Sequence, residues 1–347
     1  MTKRGIILGI LQNLNWQILS IFLLAFSVTL YAGIMFHPVG ADIQFHLDIA
    51  RAYLRGENGM FAPFVMQINK MPYPPVTHLI LLPFLALNVS DGFIRFLQIL
   101  SYPCALLFSM VLAKRYGKGT FHAVIVGLAL IGSAAYLDLT FQIRPETLDA
   151  FLWLGLTFAF LSERKWLQIV SGVLGAYSHG LASLAVNGGQ ILYGRNKRTI
   201  LIVTLACLSI VLISIFYIVP MFTKWAGVPA SSQARMFLTD WPSFTFSYLG
   251  ALSLGLPVVF WQIKEWKTQT LLTKLSIVTL TSSLLLLPIW YDRYYHYAAI
   301  PLAFCLGDFA CSHKKLAIII LAFTLYFFVL GYLHLWLVNI LGLWDIH

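Results

Sequence analysis

WQILSIFLLAFSVTLYAGIMF, residues Trp16 to Phe36, contains no charged side chain. A helix of this length crosses the roughly 30 Å hydrocarbon core of a bilayer. Similar apolar stretches of roughly 15 to 25 residues recur along the chain between short polar clusters. Lys3 and Arg4 precede the first stretch, as in a signal sequence. Its length and the many stretches after it instead indicate a first helix that is retained.

The composition leads to the same class of protein. Hydrophobic residues make up 59% of the 347 residues, and charged residues only 10%. A soluble domain of this composition would expose large apolar patches. The sequence therefore predicts an all-α, polytopic membrane protein with a single transmembrane domain over residues 1–347. The cysteines fall within predicted spans, where they act as small apolar residues: Cys104, Cys207, Cys305 and Cys311.

The basic residues occur in clusters at alternate loops, which the positive-inside rule places on the cytoplasmic side. These clusters are Lys3-Arg4, Lys114-Arg115-Lys118, Arg164-Lys165, Arg195-Lys197-Arg198, Lys264-Lys267-Lys274 and Lys314-Lys315. They contain 15 of the 23 Lys and Arg residues, so the net charge of +10 is explained by membrane orientation and implies no nucleic acid partner. This placement of the basic clusters predicts about eleven membrane spans, with the amino terminus on the cytoplasmic side. The spans are 14–36, 93–113, 120–139, 147–162, 166–178, 181–194, 199–219, 247–263, 271–289, 297–312 and 316–340. Two outer loops, 37–92 and 220–246, are long.

The first outer loop opens with Gly40-Ala41-Asp42, which is followed by an amphipathic helix from Ile43 to Arg55. Asp42 and His46 are four residues apart, so the helix would place carboxylate and imidazole side by side as a general base or as metal ligands. The alternative is that Asp42 caps the helix and His46 is an ordinary interfacial side chain. The apolar face contains Ile43, Leu47, Ala50 and Leu54, and a solvated ion-paired face contains Asp48, Arg51 and Arg55.

Later in this loop, Met71-Pro72-Tyr73-Pro74-Pro75 precedes an apolar run from His78 to Leu87 that is too short to span a membrane alone. The pattern predicts a re-entrant or juxtamembrane helix that begins at the prolines. Lys70, Tyr73 and His78 at its outer end are candidates for binding a headgroup. The alternative is a purely structural role for this segment.

Two further outer segments combine cations with hydrogen-bonding or aromatic groups. Arg144-Pro145-Glu146 begins a helix, and the alternative is an interfacial arginine beside an ordinary first turn. The segment 290–297 contains Arg293, Tyr294 and His296, a composition that suits a sugar phosphate, whereas the alternative is an aromatic belt. His179, between two short spans, is a weaker candidate, since a lone histidine there is more often simply hydrogen-bonded.

Three of these motifs, Gly40 to His46, Pro72-Tyr73-Pro74-Pro75 and Arg144-Pro145-Glu146, resemble the C-type (GT-C) superfamily of polyprenol-dependent membrane glycosyltransferases. Within it the closest similarity is to mannosyltransferase-like families, and it covers roughly the first 200 residues. The resemblance implies transfer of a sugar from a polyprenyl-phosphate carrier, with Asp42 as the base. The family often has paired acids in the first loop, whereas Ile43 follows Asp42 here. Whether the protein requires a divalent metal is therefore left open, and His46 is the candidate to take the place of the second acid.

The leading hypothesis is an inverting glycosyltransferase acting at the extracytoplasmic face of a plasma membrane or endoplasmic reticulum. Its partners would be a polyprenyl-phosphate-linked sugar donor, membrane lipids, and a glycan, lipid or protein acceptor. The catalytic candidates are Asp42, His46 and Glu146, of which Asp42 and His46 would also hold a metal. The substrate-binding candidates are Lys70, Tyr73, His78, Arg144, His179, Arg293, Tyr294 and His296. The alternatives are a transporter or flippase for a lipid-linked substrate, and a non-catalytic scaffold subunit with this fold.

Overall fold

Helices make up nearly all of the part of the chain that the computed structural model describes, residues 15–35, 41–56, 67–68, 71–72, 76–141, 145–179, 181–209, 246, 248–286 and 291–340. The predicted all-α class is confirmed there, with one antiparallel pair of two-residue strands, β1 (Gln67–Ile68) and β2 (Met71–Pro72). The helices are α1 (Trp16–Met35), α2 (Ala41–Leu54), α3 (Val76–Ala86), α4 (Asp91–Ile99), α5 (Ser101–Tyr116), α6 (Thr120–Ile131), α7 (Ala134–Phe141), α8 (Pro145–Leu161), α9 (Lys165–His179), α10 (Leu181–Tyr193), α11 (197–209), α12 (Gly255–Lys264), α13 (Leu271–Ser283), α14 (Tyr291–Ser312) and α15 (Lys314–Ile340). Short 3-10 turns occupy Gly250–Leu254, Trp266–Thr268 and Leu284–Leu286.

One of these helices is long and apolar enough to cross a membrane, judged by length and composition over the described residues. It is the continuous 26-residue helix Asp91–Tyr116, formed by α4 and α5, and it contains the predicted span 93–113. Trp16–Leu30, Val76–Ala86, Thr120–Ile131 and Thr147–Leu161 are apolar but shorter. The number of spans therefore stays a prediction.

The predicted span 120–139 is interrupted in the structure at Gly132, between α6 and α7. The Gly132 carbonyl accepts a hydrogen bond from the Ala251 amide at 2.9 Å. A side chain at Gly132 would place its Cβ 2.7 Å from the Cα of Thr324, so only glycine permits this close approach. The break thus lets α6 pack tightly against the Gly250–Leu254 turn and α15.

Two polar contacts define the ends of the helix bundle. After α5, the Lys118 ammonium lies 3.3 Å from the Asp308 carboxylate and 3.2 Å from the Ser312 hydroxyl, near the end of α14. We call this the basic end. Near the start of α14, the Tyr297 hydroxyl donates to the Asp149 carboxylate at 2.9 Å, close to the start of α8. We call this the opposite end.

The basic end collects charges that are far apart in the sequence. Gln262 donates to the Cys305 carbonyl at 2.9 Å, and the rings of Tyr193 and Trp266 meet edge to face, so the ends of α10 and α12 lie there as well. Residues 114–118, 163–165, 195–198, 264–274 and 313–315 are at this end. They include Lys114, Arg115, Lys118, Arg164, Lys165, Arg195, Lys197, Arg198, Lys264, Lys267, Lys274, Lys314 and Lys315.

The interior of the described bundle contains buried polar side chains that carry no charge. Trp153 donates to the Thr279 hydroxyl at 2.9 Å, and the Gln190 amide donates to Thr157 at 2.9 Å and to Thr279 at 3.1 Å. These four buried side chains join α8, α10 and α13. Gly189 lets α10 approach α13, because a Cβ there would lie 2.8 Å from the Val278 carbonyl oxygen. Small residues and hydroxyls at such contacts are typical of helices packed in lipid.

Candidate functional site

The loop helices α2 and α3 lie at the opposite end of the bundle. Helix Asp91–Tyr116 is roughly 39 Å long at 1.5 Å per residue, and its final residues are next to the basic end. Its first residue, Asp91, is therefore at the other end, where both carboxylate oxygens accept hydrogen bonds from the Arg51 guanidinium of α2. This pairing holds α2, and α3 packed against it, at the opposite end.

The predicted helix 43–55 is confirmed as α2, and the predicted short helix after the prolines is confirmed as α3. Leu47 and Ala50 of α2 are buried together with Leu81 and Leu85 of α3. Leu54, expected on the same apolar face, is instead 44% exposed, because it lies in the last turn of α2. The two helices therefore form a small hydrophobic unit separate from the main core.

A histidine pair joins the two loop helices. Nδ1 of His46 lies 2.9 Å from Nε2 of His78, and the side chains are 3% and 0% exposed. One ring must donate and the other accept at this contact, so exactly one proton lies between the two nitrogens. Tyr53 meets the His78 ring edge to face, and burial raises the pKa of the Tyr53 phenol. The structure thus brings together two sequence-predicted site residues that are 32 positions apart.

Asp48 and Arg51 of the predicted ion-paired face of α2 form a salt bridge. Arg51 pairs with Asp48 at 3.0 Å, and Gln44 donates to the same carboxylate at 2.9 Å. The sequence did not predict the pairing of Arg51 with Asp91, which connects α2 to α4. The hydrogen bond to Asp91 raises the pKa of Arg51 further above its ordinary value. The side chains of Arg51 and Asp91 are each about one-third exposed, so the pair mainly orients α2.

A second polar cluster lies where α8 and α14 begin. Tyr297 donates to Asp149, and Tyr248, just before α12, forms a hydrogen bond with Nε2 of His296. Asp149, His296 and Tyr297 are 1%, 2% and 5% exposed. A cavity of about 10 Å³ beside His296 and Tyr297 has room for one water molecule. The neighbouring candidate Tyr294 is also buried, and burial next to Tyr295 raises its pKa to about 12.

Asp149 and Tyr248 were not among the sequence-predicted site residues. Asp149 could have been found from the sequence. Its position one helical turn after Arg144-Pro145-Glu146 was the available signal, because residues three and four apart share a helix face. Tyr248 carried no signal, since its role depends on the tertiary contact with His296.

Several sequence-predicted residues lie outside the described part of the structure. Lys70, Tyr73 and Arg144 are among them. Asp42, Glu146, His179 and Arg293 belong to described helices, but their side chains are outside the description. Within the residues that are described, no group of three or more His, Cys, Asp or Glu side chains could hold a metal ion. The candidate metal role of Asp42 and His46 thus stays a prediction.

Two of the candidates, His46 and His78, are in direct contact, and His296 lies at the same end of the bundle. No protein-family model, curated protein or solved structure matches this chain.

Proposed function

We propose that the protein is a polytopic membrane glycosyltransferase that moves a sugar from a polyprenyl-phosphate donor to an acceptor. The observation that carries the proposal is the contact between His46 and His78 at the opposite end of the bundle, away from the basic end. Asp42 begins the same helix one turn before His46. Two separate loop motifs thus converge on one place, and a non-catalytic interfacial loop does not require this convergence.

The membrane part of the proposal is supported by large apolar side chains on the outer surface of the bundle. Large apolar side chains face outward along α1 and α15, at spacings of three, four and seven residues. They include Trp16, Leu19 and Leu23 of α1, and Ile318, Leu325 and Val329 of α15. Polar side chains such as Gln190 and Thr279 are instead buried. Such outward faces suit contact with lipid chains, and the clustering of basic residues at the basic end fits a cytoplasmic surface.

The chemistry requires one base and one cationic site. The acceptor hydroxyl oxygen forms a bond to the anomeric carbon while the bond from that carbon to the phosphate oxygen breaks, leaving its electron pair on the phosphate. A carboxylate, for which we propose Asp42, takes the hydroxyl proton. Arg144 and Arg293 stabilise the charge that builds on the phosphate. The His46–His78 pair would hold the start of α2 in position beside the reacting groups.

The remaining candidates have supporting roles in this proposal. Lys70, Tyr73 and His179 would bind the donor headgroup, and Glu146 would contact the acceptor. A transporter would instead need ionisable side chains near the centre of several helices. In the described bundle the central polar side chains, Trp153, Thr157, Gln190 and Thr279, are uncharged, which favours the enzyme.

The test uses the full chain in proteoliposomes supplied with radiolabelled polyprenyl-phosphate sugars and a membrane lipid extract as acceptor. We expect release of polyprenyl phosphate together with labelled product. Asp42→Asn should lower the rate by roughly 100-fold or more, the usual contribution of a general base, with unchanged expression. Asp48→Asn is the matched control on the same helix, since Asp48 is half exposed, and it should stay within about twofold. Near-normal transfer by the Asp42 variant, or no turnover of any donor by the wild type, would overturn the proposal.

A further inference from the structure

The second polar cluster, at the starts of α8 and α14, includes a buried carboxylate that the transfer chemistry above does not use. Asp149 is 1% exposed and lies in the second turn of α8. A buried acid in a membrane-embedded bundle is costly unless its partners repay the desolvation, so such residues usually have a function. The Tyr297 hydroxyl, 2.9 Å away on α14, is one such partner.

We propose that Asp149 is a positioning residue that acts through Tyr297 to hold the first turn of α14, and with it Arg293, where the donor phosphate binds. This inference rests on the proposed function. Arg293 precedes Tyr297 by four residues, which is about one helical turn. The contact of the Tyr297 side chain with α8 therefore fixes the turn that carries Arg293, both in its position along the helix axis and in its rotation about that axis.

A second anchor acts on the neighbouring residue. Tyr248 forms its hydrogen bond with His296, which precedes Tyr297 directly and points about 100° away around the helix. Two successive residues of α14 are thus tied to two different elements, α8 and the segment before α12. Two anchors in different directions prevent both sliding and rotation of the helix start, which a single hydrogen bond would not do.

Burial of the cluster favours positioning over direct binding of substrate, because Asp149, His296 and Tyr297 are 1%, 2% and 5% exposed. The space beside His296 and Tyr297 has room for a water molecule. Ala150 and Trp153 of α8 line it as well. The cluster therefore acts on the substrate through the helix start that it holds.

The experiment compares two tyrosine variants in nanodiscs. Tyr297→Phe removes only the hydroxyl that donates to Asp149. Tyr136→Phe is the matched control, because the Tyr136 hydroxyl is also buried and donates to the Tyr102 carbonyl at 2.7 Å. Both variants should lower the unfolding temperature to a similar degree. Only Tyr297→Phe should weaken binding of polyprenyl phosphate and raise the KM for the donor, by about 10- to 100-fold, the effect of a misplaced binding group.

A double-mutant cycle with Arg293→Ala gives a result that a merely structural role would not produce. If Tyr297 acts through Arg293, adding Tyr297→Phe to Arg293→Ala should weaken polyprenyl phosphate binding no further. Asp149→Asn, which keeps an acceptor oxygen, should lose less affinity than Asp149→Leu. Equal affinity of wild type and Tyr297→Phe, or additive losses in the cycle, would overturn the positioning role alone. Failure of the wild type to bind polyprenyl phosphate would instead overturn the proposed function.

Discussion

The pair of Lys118 and Asp308 at the basic end predicts an asymmetric response to substitution. The Asp308 side chain is 1% exposed, whereas the Lys118 side chain is 34% exposed. Lys118→Met would leave a carboxylate buried without its cation. Asp308→Asn would leave an ammonium that can still be hydrated from the surface. The same ion pair is broken in both variants, yet the group left behind differs in its access to water.

The magnitudes follow from this difference. Removing the partner of a buried charge lowers the free energy of unfolding by roughly 3–5 kcal/mol. Water can reach the Asp308 carboxylate from the partly exposed Lys118 position, so we expect Lys118→Met to cost about 3 kcal/mol, the lower end of this range. Asp308→Asn should cost about 1 kcal/mol, the value of a partly exposed pair. At roughly 2 °C per kcal/mol for a long chain, the unfolding temperature should fall by about 6 °C and about 2 °C.

The assay is thermal unfolding of the purified full chain in detergent, followed by intrinsic tryptophan fluorescence. The double variant Lys118→Met/Asp308→Asn should unfold close to the single variant Asp308→Asn, because no buried charge is left in either. Equal destabilisation by the two single variants, or a larger effect of Asp308→Asn, would refute the argument from burial.

Two further predictions concern helix packing. Gly189→Ala should lower the free energy of unfolding by about 1–3 kcal/mol, because its Cβ would lie 2.8 Å from the Val278 carbonyl oxygen. Gly92→Ala has nothing within 4 Å of its Cβ and should stabilise α4 by about 0.5–1 kcal/mol. Unfolding temperatures measure both effects, and shifts of the same sign in the two variants would contradict the packing. His78→Phe should cost about 1–3 kcal/mol, since His46 loses a buried hydrogen bond; an unchanged unfolding temperature with unchanged helical circular dichroism would count against that contact.

Local features of the fold could be predicted from the sequence. The period of apolar residues after Asp42 gave helix 43–55, close to the observed Ala41–Leu54. Proline residues 72, 74 and 75 correctly indicated that a short helix follows, because proline is favoured just before a helix and in its first turn. The clustering of basic residues predicted which loops lie together at the basic end. Each of these signals depends only on neighbouring residues.

Contacts between distant residues could not be predicted in this way. The histidine pair needs α2 and α3 to meet in one rotational register, which depends on Leu47 packing against α3 and on Arg51 reaching Asp91. The break at Gly132 was missed for the same reason. An apolar run continues through this glycine, and only the approach of the Ala251 amide and of Thr324 explains why the helix ends there.

The most direct test of the central claim is a structure of the full chain in a lipid nanodisc with polyprenyl phosphate bound, in which the position of the phosphorus atom is measured. We predict that the phosphate lies at the opposite end of the bundle, within about 4 Å of a guanidinium nitrogen of Arg293 or Arg144, and that Asp42 and the His46–His78 pair face the same cavity. A phosphate bound at the basic end near Lys118, or Asp42 directed away from the lipid phosphate, would contradict the account.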